Sequence, residues 1–171
     1  MSQSTDLLLN LELSRQESCR LLADFMLKKK FLLTTAESCT GGLIAAACTD
    51  LAGSSQWFER GFVTYSNAAK TDMLGVDAAL IAQFGAVSEQ VAAAMAQGAV
   101  KHSVAQVSVA VTGVAGPTGG SAVKPVGTVW IAWHVNGQTT TALCHFDGDR
   151  ATVRALTVQQ ALLGLVERLS D

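Results

Sequence analysis

The sequence predicts an α/β fold, a three-layer α/β/α sandwich built on a mixed, mostly parallel sheet with one antiparallel hairpin. Short apolar, β-branched segments alternate with helical segments, and strands separated by helices pair in parallel. The dipeptide Asn136-Gly137 between two apolar segments is typical of a two-residue hairpin turn. With 171 residues, 49% of them hydrophobic and 15% charged, the chain has the length and apolar content of one compact domain.

The first helix is predicted to begin at Ser14, where Ser14 and Glu17 form a capping box ahead of apolar residues at helical spacing. Residues 1–13 are therefore interpreted as a lead that precedes a single domain at 14–171. A buried strand and an Ala-rich helix are predicted next, at residues 31–36 and 43–51.

The second half of the chain continues the alternation. Asn67 is predicted to cap a short helix that follows a strand at 61–65, and Asp149 to cap a final helix that ends near Leu169. Between them we expect two helices at 77–84 and 88–102, a central strand at 106–112, a Gly/Pro-rich loop at 113–127, and hairpin strands at 126–135 and 138–146.

Composition excludes several classes of function. A net charge of −2 gives no electrostatic signature of nucleic-acid or anionic-membrane binding. No apolar run reaches the ~18 residues of a membrane span, and the N-terminus has no basic leader. The four cysteines include no CxxC pair, and the histidines form no metal-binding motif. We therefore expect a cytoplasmic protein with no nucleic-acid partner, no membrane partner and no metal.

Three Gly-containing stretches are candidates for catalytic or ligand-binding loops, at residues 35–42, 113–120 and 124–128. None contains a Walker A loop or a Rossmann fingerprint. Backbone N–H groups in such turns can still bind anions, and sites of this kind gather at the carboxyl ends of strands. Because Ser38 and Gly113 both follow predicted strands, we expect them to line one crevice.

Ser38 is either a nucleophile or a simple helix cap. As a nucleophile it would use free N–H groups of the following helix as an oxyanion hole. Its base would be Lys70, whose pKa a helix N-terminus and burial would lower; the alternative is an exposed helix lysine. Tyr65 would relay a proton or hold the lysine amine, or be an ordinary strand aromatic.

Two arginines at the start of the last helix form a second candidate group. Arg150 and Arg154 are four residues apart and share a helix face, an arrangement that suits a phosphate or a carboxylate. The alternative is a pair of surface charges. The three histidines are interpreted as structural or surface residues, since nothing pairs them with a nucleophile.

Together these stretches resemble the CinA C-terminal domain family, in its free-standing form as a nicotinamide-nucleotide amidase. The likeness spans residues 15–168 and depends on the order and spacing of its motifs more than on any one of them. The matching segments are Thr35-Ala-Glu-Ser-Cys-Thr-Gly-Gly42, Gly53-Ser-Ser55, Phe58-Glu-Arg-Gly-Phe-Val-Thr-Tyr-Ser-Asn67 with Lys70, Gly85-Ala-Val-Ser88, Thr112-Gly-Val-Ala-Gly-Pro-Thr-Gly-Gly120, Lys124-Pro-Val-Gly-Thr-Val129 and Gly148-Asp-Arg150.

The resemblance implies hydrolysis of nicotinamide mononucleotide to nicotinate mononucleotide and ammonia, in recycling towards NAD, without a cofactor. It implies Ser38 as nucleophile, Lys70 as base, Tyr65 as a supporting residue and a homo-oligomer, a dimer or higher; the three tryptophans also favour an oligomer. The predicted substrate-binding residues are Thr40, Gly41, Gly42, Asn67, Thr112, Gly113, Gly116 and Gly119, with Arg150 and Arg154 for the phosphate.

Two other functions remain open at this point. The chain is alternatively a nucleotide-binding regulatory module that keeps the crevice but turns over little. It is also compatible with a hydrolase of another amide, such as a nucleoside or a cell-wall-like substrate.

Overall fold

A computed structural model of the chain describes residues 3–170, with side chains from Asn10 onward. Its elements are α1 (Gln3–Lys29), β1 (Leu33–Glu37), α2 (Leu43–Thr49), a 3₁₀ turn (Ser54–Gln56), β2 (Phe58–Val63), α3 (Asn67–Leu74), α4 (Ala78–Phe84), α5 (Glu89–Lys101), β3 (Val107–Gly113), β4 (Thr128–Val135), β5 (Gln138–His145) and α6 (Arg150–Ser170).

The five strands form one mixed sheet in the order β2-β1-β3-β4-β5. β1 pairs in parallel with β2 and β3, whereas β4 is antiparallel to both β3 and β5. Four strands therefore run in one direction and β4 in the other. Asn136 and Gly137 have φ values of 53° and 78°, the positive values that a tight hairpin turn between β4 and β5 requires. The predicted mixed sheet with one hairpin is confirmed.

Helices cover both faces of the sheet. β3 alternates its side chains, with Val109 and Val111 buried against α1, α2 and α6 and with Ala110 buried against α3, α4 and α5. This alternation confirms the three-layer α/β/α sandwich. Trp57 and Trp133 lie inside the first of these cores, so they give no support to the tryptophan argument for an oligomer.

The predicted start of the first helix is wrong. α1 begins at Gln3, and Ser14 lies in its interior, where its hydroxyl accepts a hydrogen bond from Gln159 Nε2 of α6 at 3.0 Å. The Leu-rich segment before Ser14 has good helix formers, and an ion pair joins Glu12 to Arg15 one turn along. The capping-box pattern therefore occurs within a continuous helix. The division into a lead and a domain stays a prediction; residues 1, 2 and 171 lie outside the described part.

The cap of α3 is Ser66 rather than Asn67. The Ser66 hydroxyl accepts a hydrogen bond from Ala69 N at 3.0 Å, and Asn67 is the first helical residue. β2 also ends at Val63, which leaves Tyr65 beyond the strand. The other predicted elements are confirmed with shifts of a few residues at their ends, including the cap of α6, where Asp149 Oδ1 accepts from Thr152 N. No helix in the described part of the chain has the length and apolar content to cross a membrane.

Candidate active site

The carboxyl ends of neighbouring strands form the base of a crevice. Ser38 directly follows β1, and its N–H donates to the carbonyl oxygen of Val111 on β3 at 3.1 Å. On the other side of β1, Thr64 N donates to the carbonyl oxygen of Glu37 at 2.8 Å. The residues that follow β1, β2 and β3 are therefore held together at one edge of the sheet, as the sequence predicted for Ser38 and Gly113.

Lys70 and Ser38 meet in this crevice. Lys70 lies in the first turn of α3 with only 1% of its surface exposed, and its Nζ is 3.0 Å from Ser38 Oγ. Nζ also donates to the carbonyl oxygens of Thr64, at 2.9 Å, and Tyr65, at 3.4 Å. No carboxylate among the described side chains forms an ion pair with it. Burial lowers the pKa of Lys70, which confirms the predicted direction.

Glu37 occupies the N-terminus of α2. Its carboxylate accepts hydrogen bonds from the N–H groups of Gly42 (3.1 Å), Ile44 (3.0 Å) and Ala45 (2.8 Å), and from Thr40 Oγ1 (2.6 Å). The prediction that the first turn of this helix holds an oxyanion is therefore wrong, because a side chain of the protein already binds its donors. Sequence analysis missed Glu37, since its spacing from the helix matches no capping box.

The turn between Glu37 and α2 still offers two backbone donors. Within the part of the chain that the structure describes, the N–H groups of Cys39 and Thr40 donate no hydrogen bond to another residue. The turn itself is closed by Gly41 N, which donates to Ser38 O at 3.1 Å. Of these two residues, Cys39 lines the crevice beside Ser38, whereas Thr40 is fully buried.

Two arginines of α6 hold the loops around the crevice. Arg150 donates to the hydroxyl of Tyr65 at 3.1 Å and to the carbonyl oxygen of Gly116 at 2.9 Å. Arg154 donates to the carbonyl oxygen of Thr40 at 2.9 Å, and its Nε is buried without a partner. The Tyr65 phenol, on a side chain that is 61% exposed, therefore contacts Arg150, while the lysine amine contacts the backbone carbonyl of Tyr65 instead.

The crevice has a volume of about 200 Å³ and adjoins a larger cavity of about 650 Å³; Ala115 and Arg150 line both. Arg154 and Pro117 line only the larger cavity. Predicted site residues that line the crevice are Ser38, Tyr65, Asn67, Lys70, Thr112, Gly113 and Arg150. Predicted site residues that line neither are Thr40, Gly41, Gly42, Gly116 and Gly119.

Cys39 and two of the histidines have structural environments that account for them without a catalytic role. Burial raises the pKa of the Cys39 thiol to about 11, which keeps it protonated beside Ser38 at neutral pH. His102 Nδ1 lies 2.9 Å from Gly98 O, and His134 Nδ1 lies 2.8 Å from Thr139 Oγ1. Across the residues described here, no group of three or more His, Cys, Asp or Glu side chains is arranged to hold a metal ion.

Comparison with known proteins identifies the family of this chain. The family model of the CinA C-terminal domain matches residues 16–169. A nicotinamide-nucleotide amidohydrolase PncC of Pseudomonas putida is 57% identical over 135 residues, which make up 79% of this chain and 84% of that protein. One of Enterobacter agglomerans is 54% identical over 144 residues, covering 84% of this chain and 86% of that protein.

A solved structure gives the same result at the level of the fold. The competence/damage inducible protein CihA from Agrobacterium tumefaciens superimposes with a TM-score of 0.87 and is 48% identical, covering 92% of this chain and 96% of that chain. With a family model that matches nearly the whole length and relatives above half identity, this chain belongs to the CinA C-terminal domain family.

Proposed function

We propose that this protein is an amidohydrolase that converts nicotinamide mononucleotide to nicotinate mononucleotide and ammonia. Ser38 is the nucleophile and Lys70 is its general base. The observation that carries the mechanism is the 3.0 Å contact between Ser38 Oγ and a buried Nζ that has no carboxylate partner. The substrate is inferred from the names of the amidohydrolase relatives, which share more than half of the aligned residues.

The surroundings of Lys70 suit a neutral amine. A neutral amine has two hydrogens and one lone pair. In the ammonium form Nζ donates to Ser38 Oγ and to the carbonyl oxygens of Thr64 and Tyr65; after loss of one proton the two carbonyls accept the remaining hydrogens, and the lone pair faces the hydroxyl hydrogen of Ser38. Since burial disfavours the ammonium form, this arrangement supports Lys70 as an acceptor of the Ser38 proton.

The proposed reaction proceeds through an acyl-enzyme. Ser38 Oγ attacks the carboxamide carbon while its proton passes to Lys70 Nζ, and the N–H group of Cys39, which lines the crevice, stabilises the resulting oxyanion. The C–N bond then breaks as Lys70 donates that proton to the nitrogen, which leaves as ammonia. Water attacks the Ser38 ester and gives a proton to Lys70; the bond to Oγ breaks, Ser38 recovers its proton, and the carboxylic acid product leaves.

The phosphate is assigned to the adjoining cavity, where Arg150 and Arg154 supply positive charge. The other substrate contacts remain predictions: Thr40, Gly41, Gly42, Asn67, Thr112, Gly113, Gly116 and Gly119. The proposal requires no cofactor. A homo-oligomeric state and a role in NAD recycling remain predictions from family membership.

The direct test is ammonia release from nicotinamide mononucleotide by the purified protein in the presence of EDTA, with identification of nicotinate mononucleotide as the second product. Free nicotinamide, nicotinamide riboside and unrelated primary amides serve as comparison substrates. Preference for the mononucleotide supports the proposal. A folded protein that binds the nucleotide but releases no ammonia would favour a regulatory module, and faster turnover of another amide would assign a different substrate.

The pH dependence of kcat/KM follows from the lowered pKa of Lys70. Below that pKa the amine is protonated and cannot accept the Ser38 proton, so activity is expected to fall at low pH and rise as Lys70 loses its proton. The midpoint should lie below 10.5, the pKa of an unperturbed lysine, because burial favours the neutral form. A midpoint at or above 10.5, measured where the protein stays folded, would contradict this role.

Substitution of Arg150 tests the phosphate assignment. Arg150→Met is expected to raise KM for the mononucleotide by about 10- to 100-fold. This factor corresponds to the loss of one hydrogen bond to a charged group, which contributes about 1.5–3 kcal/mol. The riboside lacks the phosphate, so its kcat/KM should change much less. Arg20→Met removes an exposed arginine of α1 and serves as the matched control. Equal losses on both substrates would show that Arg150 acts only on the loops, through Tyr65 and Gly116.

A further inference from the structure

We infer that Glu37 is a positioning residue for the proposed reaction: its carboxylate fixes the turn at 38–41 so that Ser38 Oγ and the backbone N–H of Cys39, which both line the crevice, act on one carbonyl group. This inference rests on the proposed function. Glu37 contacts none of the reacting atoms and lines neither cavity, so it acts only through the turn.

Glu37 contacts both the turn at 38–41 and the first residues of α2. Thr40, within the turn, donates its hydroxyl to Oε2, and so do the N–H groups of Gly42 and Ile44 beyond it. Oε1 accepts the N–H of Ala45, one residue further along α2. Only 1% of Glu37 is exposed, and no cation among the described side chains pairs with it. The carboxylate therefore connects the end of β1 to the first turn of α2 without help from solvent.

This arrangement decides which donors remain for the substrate. The first N–H groups of α2 have no acceptor within the helix itself. The Glu37 carboxylate binds the donors of Gly42, Ile44 and Ala45, and the N–H group in the described turn that lines the crevice without a partner on another residue is that of Cys39. Oxyanion donors must be held to within a fraction of an ångström, and a displacement of about 1 Å costs up to about 100-fold in rate. The position of the turn should therefore control kcat more than substrate affinity.

Glu37→Gln is the most informative variant because it keeps the shape of the side chain. The amide has a single oxygen, so its NH₂ group must face either the donors at Oε2 or the N–H of Ala45, and it carries no charge for the helix dipole. We expect kcat to fall by about 10- to 100-fold with KM within about twofold of the parent. Because Lys70 is untouched, the pH midpoint of kcat/KM should stay unchanged.

Glu89→Gln is the matched control. Glu89 begins α5, accepts a hydrogen bond from Thr141 Oγ1 at 2.7 Å, and lines neither the crevice nor the adjoining cavity. Like Glu37→Gln, the Glu89→Gln substitution removes a carboxylate from a helix N-terminus. Thermal stability should therefore fall, while kcat stays at the parental value. All rates are measured well below the unfolding temperature of each variant. A parental kcat in folded Glu37→Gln would overturn the inference, and so would a shifted pH midpoint, which would mean electrostatic action on Lys70.

A second readout does not depend on the nucleotide. The rate at which a fluorophosphonate modifies Ser38 also requires the oxyanion donors, so it should fall in Glu37→Gln by a factor similar to that of kcat. A parental labelling rate would overturn the inference. If the parent releases no ammonia from the mononucleotide but labelling of Ser38 is slowed in the variant, the proposed substrate fails and the positioning role of Glu37 stands.

Discussion

Ser38→Ala is expected to lower kcat by at least about 1,000-fold, and Lys70→Ala by a similar factor. Alanine at position 38 has no oxygen with which to form the acyl-enzyme. Alanine at position 70 removes the only side-chain nitrogen within hydrogen-bond distance of Ser38 Oγ in the described part of the chain. The measurement is ammonia release under saturating nucleotide, with background hydrolysis subtracted.

The double variant gives the sharper result. Because nucleophile and base act as a unit, Ser38→Ala combined with Lys70→Ala should lose little more than either single variant. Lys101→Ala, in the last turn of α5, is the control for loss of a lysine remote from the crevice. Thermal unfolding establishes that each variant is folded, and Ser38→Ala should still bind the nucleotide. Additive losses would mean that the two residues act independently.

Gly98→Ala is expected to cause a large loss of stability through overpacking between α5 and α3. A Cβ at Gly98 would overlap the carbonyl oxygen of Leu74, the last residue of α3, which is backbone and cannot rotate away. Overpacking of this kind lowers the free energy of unfolding by about 3 kcal/mol. The higher helix propensity of alanine than of glycine raises it by about 1 kcal/mol. The net loss of about 2 kcal/mol corresponds to a fall in Tm of about 4–8 °C.

The same substitution should also reduce activity, because α3 carries Lys70. Forcing α3 away from α5 shifts Nζ relative to Ser38 Oγ, so kcat should fall along with Tm. Gly137→Ala is the comparison: no atom lies within 4 Å of its Cβ, and only the positive φ of 78° opposes it, at about 1–2 kcal/mol. It should leave kcat unchanged. A Tm for Gly98→Ala equal to that of the parent would contradict the packing argument.

The sequence predicted the features of this molecule that depend on local pattern. The hairpin at Asn136-Gly137 is local turn chemistry, and the order of strands and helices follows from periodicity. The meeting of Ser38 with the end of β3 follows from a general property of parallel sheets, since their strands end at the same edge. The sequence also predicts a lowered pKa of Lys70, from its place at a helix N-terminus and from burial; in the structure burial is the cause.

The features that were missed depend on contacts between distant or irregularly spaced residues. The carboxylate of Glu37 binds N–H groups five to eight residues ahead of it, a spacing outside the capping patterns that sequence reasoning uses. The bond between Arg150 and the Tyr65 phenol joins residues 85 positions apart. Ser14 illustrates the opposite error, because its capping box is real in sequence but lies inside a helix that begins eleven residues earlier, at Gln3.

The central claim is that a neutral Lys70 activates Ser38. The measurement that tests it most directly is the rate of covalent modification of the protein by a fluorophosphonate across pH, with the modified residue located by peptide mass spectrometry. The account predicts a single label on Ser38, a rate that rises to a plateau with a midpoint below 10.5, and loss of labelling in Lys70→Ala. Labelling at another residue, or a rate unchanged in Lys70→Ala, would contradict it.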